Sequence, residues 1–344
     1  MEILRRRRDS GSKPGDRRDG AKVALTVAGG GMRGAISAAM CVQLDDAGFR
    51  DAFDVVYGCS SGALNAAYFL AQPAGTCWYP LSIYYEDLAT DRFIRYSRPL
   101  HGGSVVDLGY VFDEVLGSAK PLDYDAAVRS PVELVVLTTD LDARETFAAR
   151  GFTSGDELKE YLRASARPPL AVNGQSHIAG RSLVDGALLA PAQFRIALDD
   201  GCTHVLSLGA RRMRSSPTRN SLAHHAYAQY LGRIRDGLGT AYLEARRARR
   251  QDRAELSRLR FATNEPGPYV LGIAPLPWMK GIRFHDTDPL RVTRAIGEAY
   301  SVSYCATERI GTDRLRKGLV RAMTRVTIAG PGAPATAPVP AAAS

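Results

Sequence analysis

Phe53-Asp54-Val55-Val56-Tyr57 runs without a break into Gly58-Cys59-Ser60-Ser61-Gly62 and then into Ala63-Leu64-Asn65-Ala66-Ala67. An apolar run of strand length, a G-x-S-x-G turn and an Ala/Leu-rich segment, in that order, predict a strand, a sharp turn and a helix. That is the setting of a nucleophile elbow, in which the turn lifts a serine hydroxyl above the edge of a sheet. The flanking glycines leave room for the cramped backbone, and the following helix N-terminus favours negative charge on the serine oxygen. Three fixed positions are weak by themselves; the strand–turn–helix context makes Ser60 a candidate nucleophile rather than a residue of a merely structural turn.

Upstream, Val23–Val27 reads as a buried strand that ends in Gly29-Gly30-Gly31-Met32-Arg33-Gly34, with a helix expected from there to about Gly48. Glycine amides at a helix N-terminus stabilise any nearby anion, whether a pyrophosphate or a transient oxyanion. Gly29, Gly31 and Gly34 also satisfy G-x-G-x-x-G, so nucleotide binding is the competing reading of this loop. A dinucleotide site wants an acidic residue near the end of the second strand. Gly58 stands there, and Asp54 lies at the strand's start.

Further strands are expected at Val132–Thr138, His204–Leu208 and Tyr269–Ala274, and helices at Asp156–Ala166, around Leu222–Leu259 and around Leu290–Ile310. Strands spaced by helices predict an α/β fold, with a mostly parallel central sheet covered on both faces and a ligand site outside the carboxyl ends of the strands. The 344 residues are 45% hydrophobic and 24% charged, which excludes a chain disordered throughout. The expected organisation is a disordered basic tail at 1–20, one α/β domain at 21–327, and a disordered Pro/Ala-rich tail at 328–344. No apolar run is long enough to span a bilayer and no secretory signal pattern opens the chain; the five scattered cysteines fit reduced thiols, so a cytoplasmic address is expected.

The net charge of +9 is concentrated. Residues 211–260 hold thirteen arginines against four acids, a surplus equal to that of the whole chain. From Tyr227 the apolar positions Leu231, Ile234, Leu238, Ala241, Tyr242 and Ala245 keep helical spacing, with arginines crowding the remainder. Such a basic amphipathic helix either docks on the core by its apolar face or lies on an anionic membrane. No zinc-finger spacing or RNA-binding signature accompanies the arginines, so nucleic acid is not an expected partner.

Ser60 needs a base. None of the six histidines stands in a setting suited to a triad. Asp185, in Ser182-Leu183-Val184-Asp185-Gly186-Ala187-Leu188, falls at the turn that ends a short strand, a place equally open to an ordinary Asp-Gly turn.

In this order, the GGGMRG, GCSSG and LVDGA segments resemble the patatin-like phospholipase family. Thr138-Thr139-Asp140-Leu141, Ala164-Ser165-Ala166-Arg167-Pro168-Pro169 and Asp200-Gly201-Cys202-Thr203-His204-Val205-Leu206 add to the likeness, which spans roughly 22 to 210. The resemblance implies a three-layer α/β/α patatin-like fold and a serine acyl-ester hydrolase acting on phospholipids or other lipids. It implies Ser60 as nucleophile, Asp185 as its partner in a histidine-free Ser–Asp dyad, and Gly29, Gly30, Gly31 and Gly34 as the oxyanion-hole loop. It implies neither metal nor cofactor. Arg33 falls at the family's basic position, where it either offers charge to a phosphate or oxyanion or, the preferred reading, pairs with a carboxylate and braces the loop. Asn65 and Asp140 are expected to be polar supports and Cys59 a small buried residue. The expected partners are a lipid or acyl-ester substrate and, through 211–260, the surface of an anionic membrane. The rival function is a catalytically silent lipid-binding or scaffold protein.

Overall fold

Five strands alternate their side chains between two apolar layers. Ala24, Val55, Tyr57, Val135, Leu137 and Val205 point to one side, where Phe194 and Ala197 of the helix Gln193–Asp199 cover them. Leu25, Val27, Val56, Leu134, Val136, Leu206 and Leu208 point to the other. There they meet α2 (Gly34–Asp46), α3 (Ser61–Ala71) and the helix Pro289–Thr307. Strands buried on both faces read as continuous apolar runs rather than alternating ones, as in parallel sheets. The chain therefore has the expected three-layer α/β/α fold. These features come from a computed structural model that describes residues 1–71, 79–212, 221–259 and 267–317. Cys77 and the expected tail at 328–344 lie outside the described residues.

The strands are β1 (Val23–Val27), β2 (Val55–Cys59), β3 (Glu133–Asp140), β4 (Glu145–Ala149), β5 (Ser176–Ile178), β6 (Arg181–Asp185), β7 (His204–Leu208) and β8 (Tyr269–Ile273). The order β3-β2-β1-β7-β8 is parallel throughout, while β4, β6 and β5 add antiparallel pairings at the β3 side. One detail of this topology builds the site. β4 occupies Val136–Asp140 along one edge of β3, so β2 and β6 share its other edge, running towards each other. Cys59 ends β2 opposite Leu137, and Asp185 ends β6 opposite Thr138. Successive strand positions are about 3.3 Å apart. The residue after Cys59 therefore meets Asp185 end to end.

Two expectations fail here. Residues 1–20 are not a loose tail: α1 (Glu2–Asp9) buries Ile3, Leu4 and Arg7. Arg7 is 1% exposed. Its guanidinium donates to Asp19 at 2.7 Å, to Asp54 at 2.8 Å and to the carbonyls of Ala52 and Ala21. A basic run in sequence reads as a solvated one, and only the fold places two carboxylates around its third arginine. The second correction concerns 211–260, whose described part is two helices, Leu222–Ile234 and Leu238–Leu259. Arg235 is extended and Gly237 takes φ +75°, the left-handed turn that glycine permits. The chain folds back so that the Tyr227 and Tyr242 rings lie 5.1 Å apart. Helical spacing persists across the break because both helices dock on one cluster, with Leu141, Val184, Leu188 and Leu189. The apolar face is thus taken up by the core and is not free to enter a bilayer. No helix among the described residues is long and apolar enough to cross a membrane.

Candidate active site

β2 delivers Ser60 into the left-handed region at φ +55°. A non-glycine residue there costs about 1–3 kcal/mol and persists only when its surroundings fix it. The fixing contacts are visible. The Ser60 N–H donates to Ser165 Oγ at 2.8 Å, and that hydroxyl donates to the Leu137 carbonyl at 2.7 Å, pinning the turn to β3. The Ser60 carbonyl accepts from the Ala63 N–H at 2.9 Å as α3 begins. Gly62 backs against the carbonyl of Val27 and the amide of Gly29, where any Cβ would lie within 3.0 Å of backbone. At Gly62 the elbow and the glycine loop therefore interlock backbone against backbone.

Asp185 is 6% exposed and Ser60 8%. Burial pushes the Asp185 carboxyl up from 3.8 to about 6; the Ala187 N–H, the Ser60 hydroxyl and the Cys59 thiol oppose this as hydrogen-bond donors, and the Arg249 charge opposes it through space. The Ala187 N–H lies 2.8 Å from Asp185 Oδ1 and Cys59 Sγ 3.7 Å from it. The backbone of Asp185 is tied down as well: its N–H donates to the Arg167 carbonyl at 3.0 Å, and its carbonyl accepts from Thr139 Oγ1 at 3.0 Å. Ser60 and Asp185, 125 positions apart in sequence, thus lie close enough for the serine hydroxyl to act on the carboxyl. No histidine among the described residues hydrogen-bonds either of them. Such a carboxylate, ionised at neutral pH yet far more basic than a solvated one, can take a hydroxyl proton directly.

The four glycines expected to line an oxyanion hole divide into two pairs. The Gly30 N–H donates to Ser61 Oγ at 3.0 Å, and the Gly34 N–H closes a helical turn onto Gly31 and Met32. The N–H groups of Gly29 and Gly31 have no acceptor among the described residues. Gly30, at φ +133°, and Gly31, at φ +59°, give the loop a path closed to most side chains. The Met32 N–H is held by the Phe284 carbonyl at 2.9 Å. Two helix N-termini, those of α2 and α3, open onto this rim.

Arg33 does not brace the loop through a carboxylate. No described ion pair contains it, and its buried Nε has no hydrogen-bond partner among the described residues. It lies against Gly30, with its guanidinium 5.9 Å from the centre of the Phe284 ring. Asn65 is the support expected: its Nδ2 donates to the Gly34 carbonyl at 2.9 Å and to Ser37 Oγ at 3.1 Å, and its Oδ1 accepts from Tyr84. Asp140 pairs with Arg181 at 2.7 Å and accepts the N–H groups of Asp142 and Ala143. Cys59 is buried, and its thiol is raised by burial and by the neighbouring carboxylate.

Sequence reasoning missed three participants. Ser165 had a signal, since it lies in the Ala164–Pro169 segment that resembles the family. Phe284 and Arg249 had none: each is brought to the rim by tertiary folding from a region without a matching motif.

A family model described as patatin-like phospholipase matches residues 25–198, just over half of the chain. Among solved structures, the chain is similar to VipD from Legionella pneumophila, with 13% identity, 86% of this chain and 70% of that chain covered, and a TM-score of 0.45. No curated protein sequence matches.

Proposed function

The chain belongs to the patatin-like phospholipase family, whose activity is lipid acyl hydrolysis, and from that premise we propose that it is a serine acyl-ester hydrolase working through Ser60 and Asp185. The observation that carries the reading is the meeting of a strained, nearly buried serine with a carboxylate held at about 6, at the rim where the N-termini of α2 and α3 open.

Asp185 accepts the Ser60 proton as the hydroxyl oxygen attacks the acyl carbonyl. The resulting oxyanion is met by the N–H groups of Gly29 and Gly31, while Gly30 and Gly34 hold the loop in shape. One such donor is worth about 2.7–4 kcal/mol in the transition state. As the tetrahedral intermediate collapses, protonated Asp185 returns its proton to the departing alcohol, leaving an acyl ester on Ser60. Water then attacks this ester with Asp185 again as base, releasing the fatty acid and restoring the hydroxyl. The substrates are fatty-acyl esters of phospholipids or other lipids. The surplus of arginine over 211–260 supports binding at an anionic membrane surface by charge alone, since the apolar face of these helices is docked.

The test is hydrolysis of p-nitrophenyl esters and a phospholipid panel by the wild-type, Ser60→Ala and Asp185→Asn proteins. Both variants are expected to fall to background while keeping the wild-type circular dichroism spectrum. Full activity in purified Ser60→Ala protein overturns the assignment.

A further inference from the structure

On the helix Leu238–Leu259, Arg246, Arg249, Arg250 and Arg253 recur at i, i+3, i+4 and i+7, so four arginines share one face. Of the three acids on the same helix, two are engaged elsewhere and Glu244 lies off this face, two positions before Arg246. Asp252 pairs with Arg195 at 3.1 Å and accepts the Ala192 N–H, and Glu255 also pairs with Arg195. The arginine face turns to the rim that carries Ser60. Arg249 donates to the carbonyls of Ala190 at 2.6 Å and Leu188 at 3.3 Å, a few residues beyond Asp185, and its charge acts on Asp185 and Cys59.

Two further arginines reach this place from other elements. Arg33 comes from the glycine loop, with a buried Nε that has no partner among the described residues. Arg211 follows β7, whose last residue, Leu208, accepts the Ala28 N–H where that loop begins. No described ion pair includes Arg33, Arg211 or Arg249. Arg33 feels Arg211 and Arg253, while Arg211 feels Arg253 and Arg246. Burial and this mutual repulsion hold Arg33 and Arg249 down to about 10, which leaves both charged at neutral pH. Crowding like charges destabilises a fold, and a cost of this kind, with Arg33, Arg211 and Arg249 in no ion pair among the described residues, is characteristic of a binding site when it is retained beside a reactive group. Guanidinium forks match phosphate oxygens two at a time, which a carbonyl or a zwitterionic amine cannot exploit.

We propose that Arg33, Arg211 and Arg249, with Arg253 beside them, form a phosphate-recognition subsite that selects acyl esters carrying a phosphomonoester headgroup. The subsite rests on the reading of Ser60 as nucleophile for its place in catalysis, but not for its affinity for phosphate. A phosphomonoester brings close to two negative charges, where a phosphodiester with a choline brings none in net. The family match ends at residue 198, so most of this cluster is supplied by the part of the chain beyond it.

The experiment has two arms. In the first, kcat/KM is measured for phosphatidic acid, phosphatidylcholine and diacylglycerol with the same acyl chains, in mixed micelles at fixed ionic strength. Wild-type protein is expected to prefer phosphatidic acid at least tenfold, and the Arg211→Gln/Arg253→Gln protein to lose most of that preference. In the second, Ser60→Ala protein is titrated with inorganic phosphate against chloride at matched ionic strength, with Tm as the readout. A saturable rise is expected, and the two Arg→Gln changes made in that protein are expected to abolish it without lowering its Tm in chloride. The proposal is overturned if neither the lipid preference nor the Tm rise is seen, or if both survive the double substitution. A Tm rise without lipid preference assigns the cluster to free phosphate and overturns the headgroup reading. A Tm rise in a protein that cleaves no ester keeps the phosphate site and removes the hydrolase reading instead.

Discussion

Replacing Asp185 by Asn is expected to abolish activity and to stabilise the protein. The buried carboxyl is pushed up from 3.8 to about 6. At about 1.36 kcal/mol per tenfold, holding it ionised at neutral pH costs the folded state roughly 3 kcal/mol. Between about 4 and about 6 the folded chain binds the proton more tightly than the unfolded one. Stability from this group therefore falls as pH rises through that window, and the cost is complete above it. Below about 4 both states are protonated and the cost is absent. Asparagine keeps an oxygen for the Ala187 N–H and carries no charge, although it loses the attraction of Arg249. Urea melts at a series of pH values should place Asp185→Asn about 1–3 kcal/mol above wild type at pH 7.5, with the gap closing by about pH 4. A variant less stable than wild type at pH 7.5, or a gap that does not change with pH, refutes the claim that burial of this carboxyl is what tunes it.

Other consequences follow from the same contacts. The acid limb of the kcat/KM profile should rise through an apparent pKa near 6, because only the ionised carboxylate accepts the Ser60 proton; Arg249→Gln should move that limb to higher pH, and an unmoved limb would remove Arg249 from the electrostatics of the site. Ser165→Ala leaves the Ser60 N–H without its acceptor, an expected loss of about 1–3 kcal/mol in stability together with a lower kcat, measured by melts and by ester turnover. Arg7→Ala takes the guanidinium from Asp19, leaves Asp54 with Arg17 alone and opens a buried gap, and an expected loss of about 2–4 kcal/mol in denaturant melts distinguishes an anchored segment from a loose tail. Cys59, with its thiol buried and raised, should resist iodoacetamide in the native protein and react on unfolding, as read by peptide mass mapping.

Much of the sheet was legible because its strands are buried on both faces. Val23–Val27 and His204–Leu208 are mostly apolar runs that follow a polar residue and lead into glycine within two positions, and they match the observed strands at both ends. β2 runs two residues later than expected, since Gly58 and Cys59 continue the ladder up to the serine instead of forming the turn. β4 and β5 were missed: Glu145–Ala149 and Ser176–Ile178 are half exposed at the antiparallel side and lack the apolar signal of the others. The proposed pairing of Ser60 with Asp185 came from motif resemblance; what brings the two residues near each other, two strands meeting head to head along one edge of β3, is a property of topology with no local trace. The glycine loop was read as an anion cradle, but hydrogen bonding within the loop and to Ser61 decides which of its amides remain available, and spacing says nothing of that. Arg33 shows the same limit in reverse. A brace was the economical reading of one arginine among glycines, and only the approach of Arg211 and the helix Leu238–Leu259 shows a charge that meets no carboxylate among the described residues.

The central claim, that Ser60 is an activated nucleophile because Asp185 takes its proton, is met most directly by labelling with a fluorophosphonate followed by peptide mass mapping. One adduct per chain on Ser60 is expected in the wild-type protein, forming faster as pH rises through about 6, with none in Ser60→Ala and little in Asp185→Asn. A folded wild-type protein that takes no label, or one labelled at Ser60 equally fast without the Asp185 carboxylate, contradicts it.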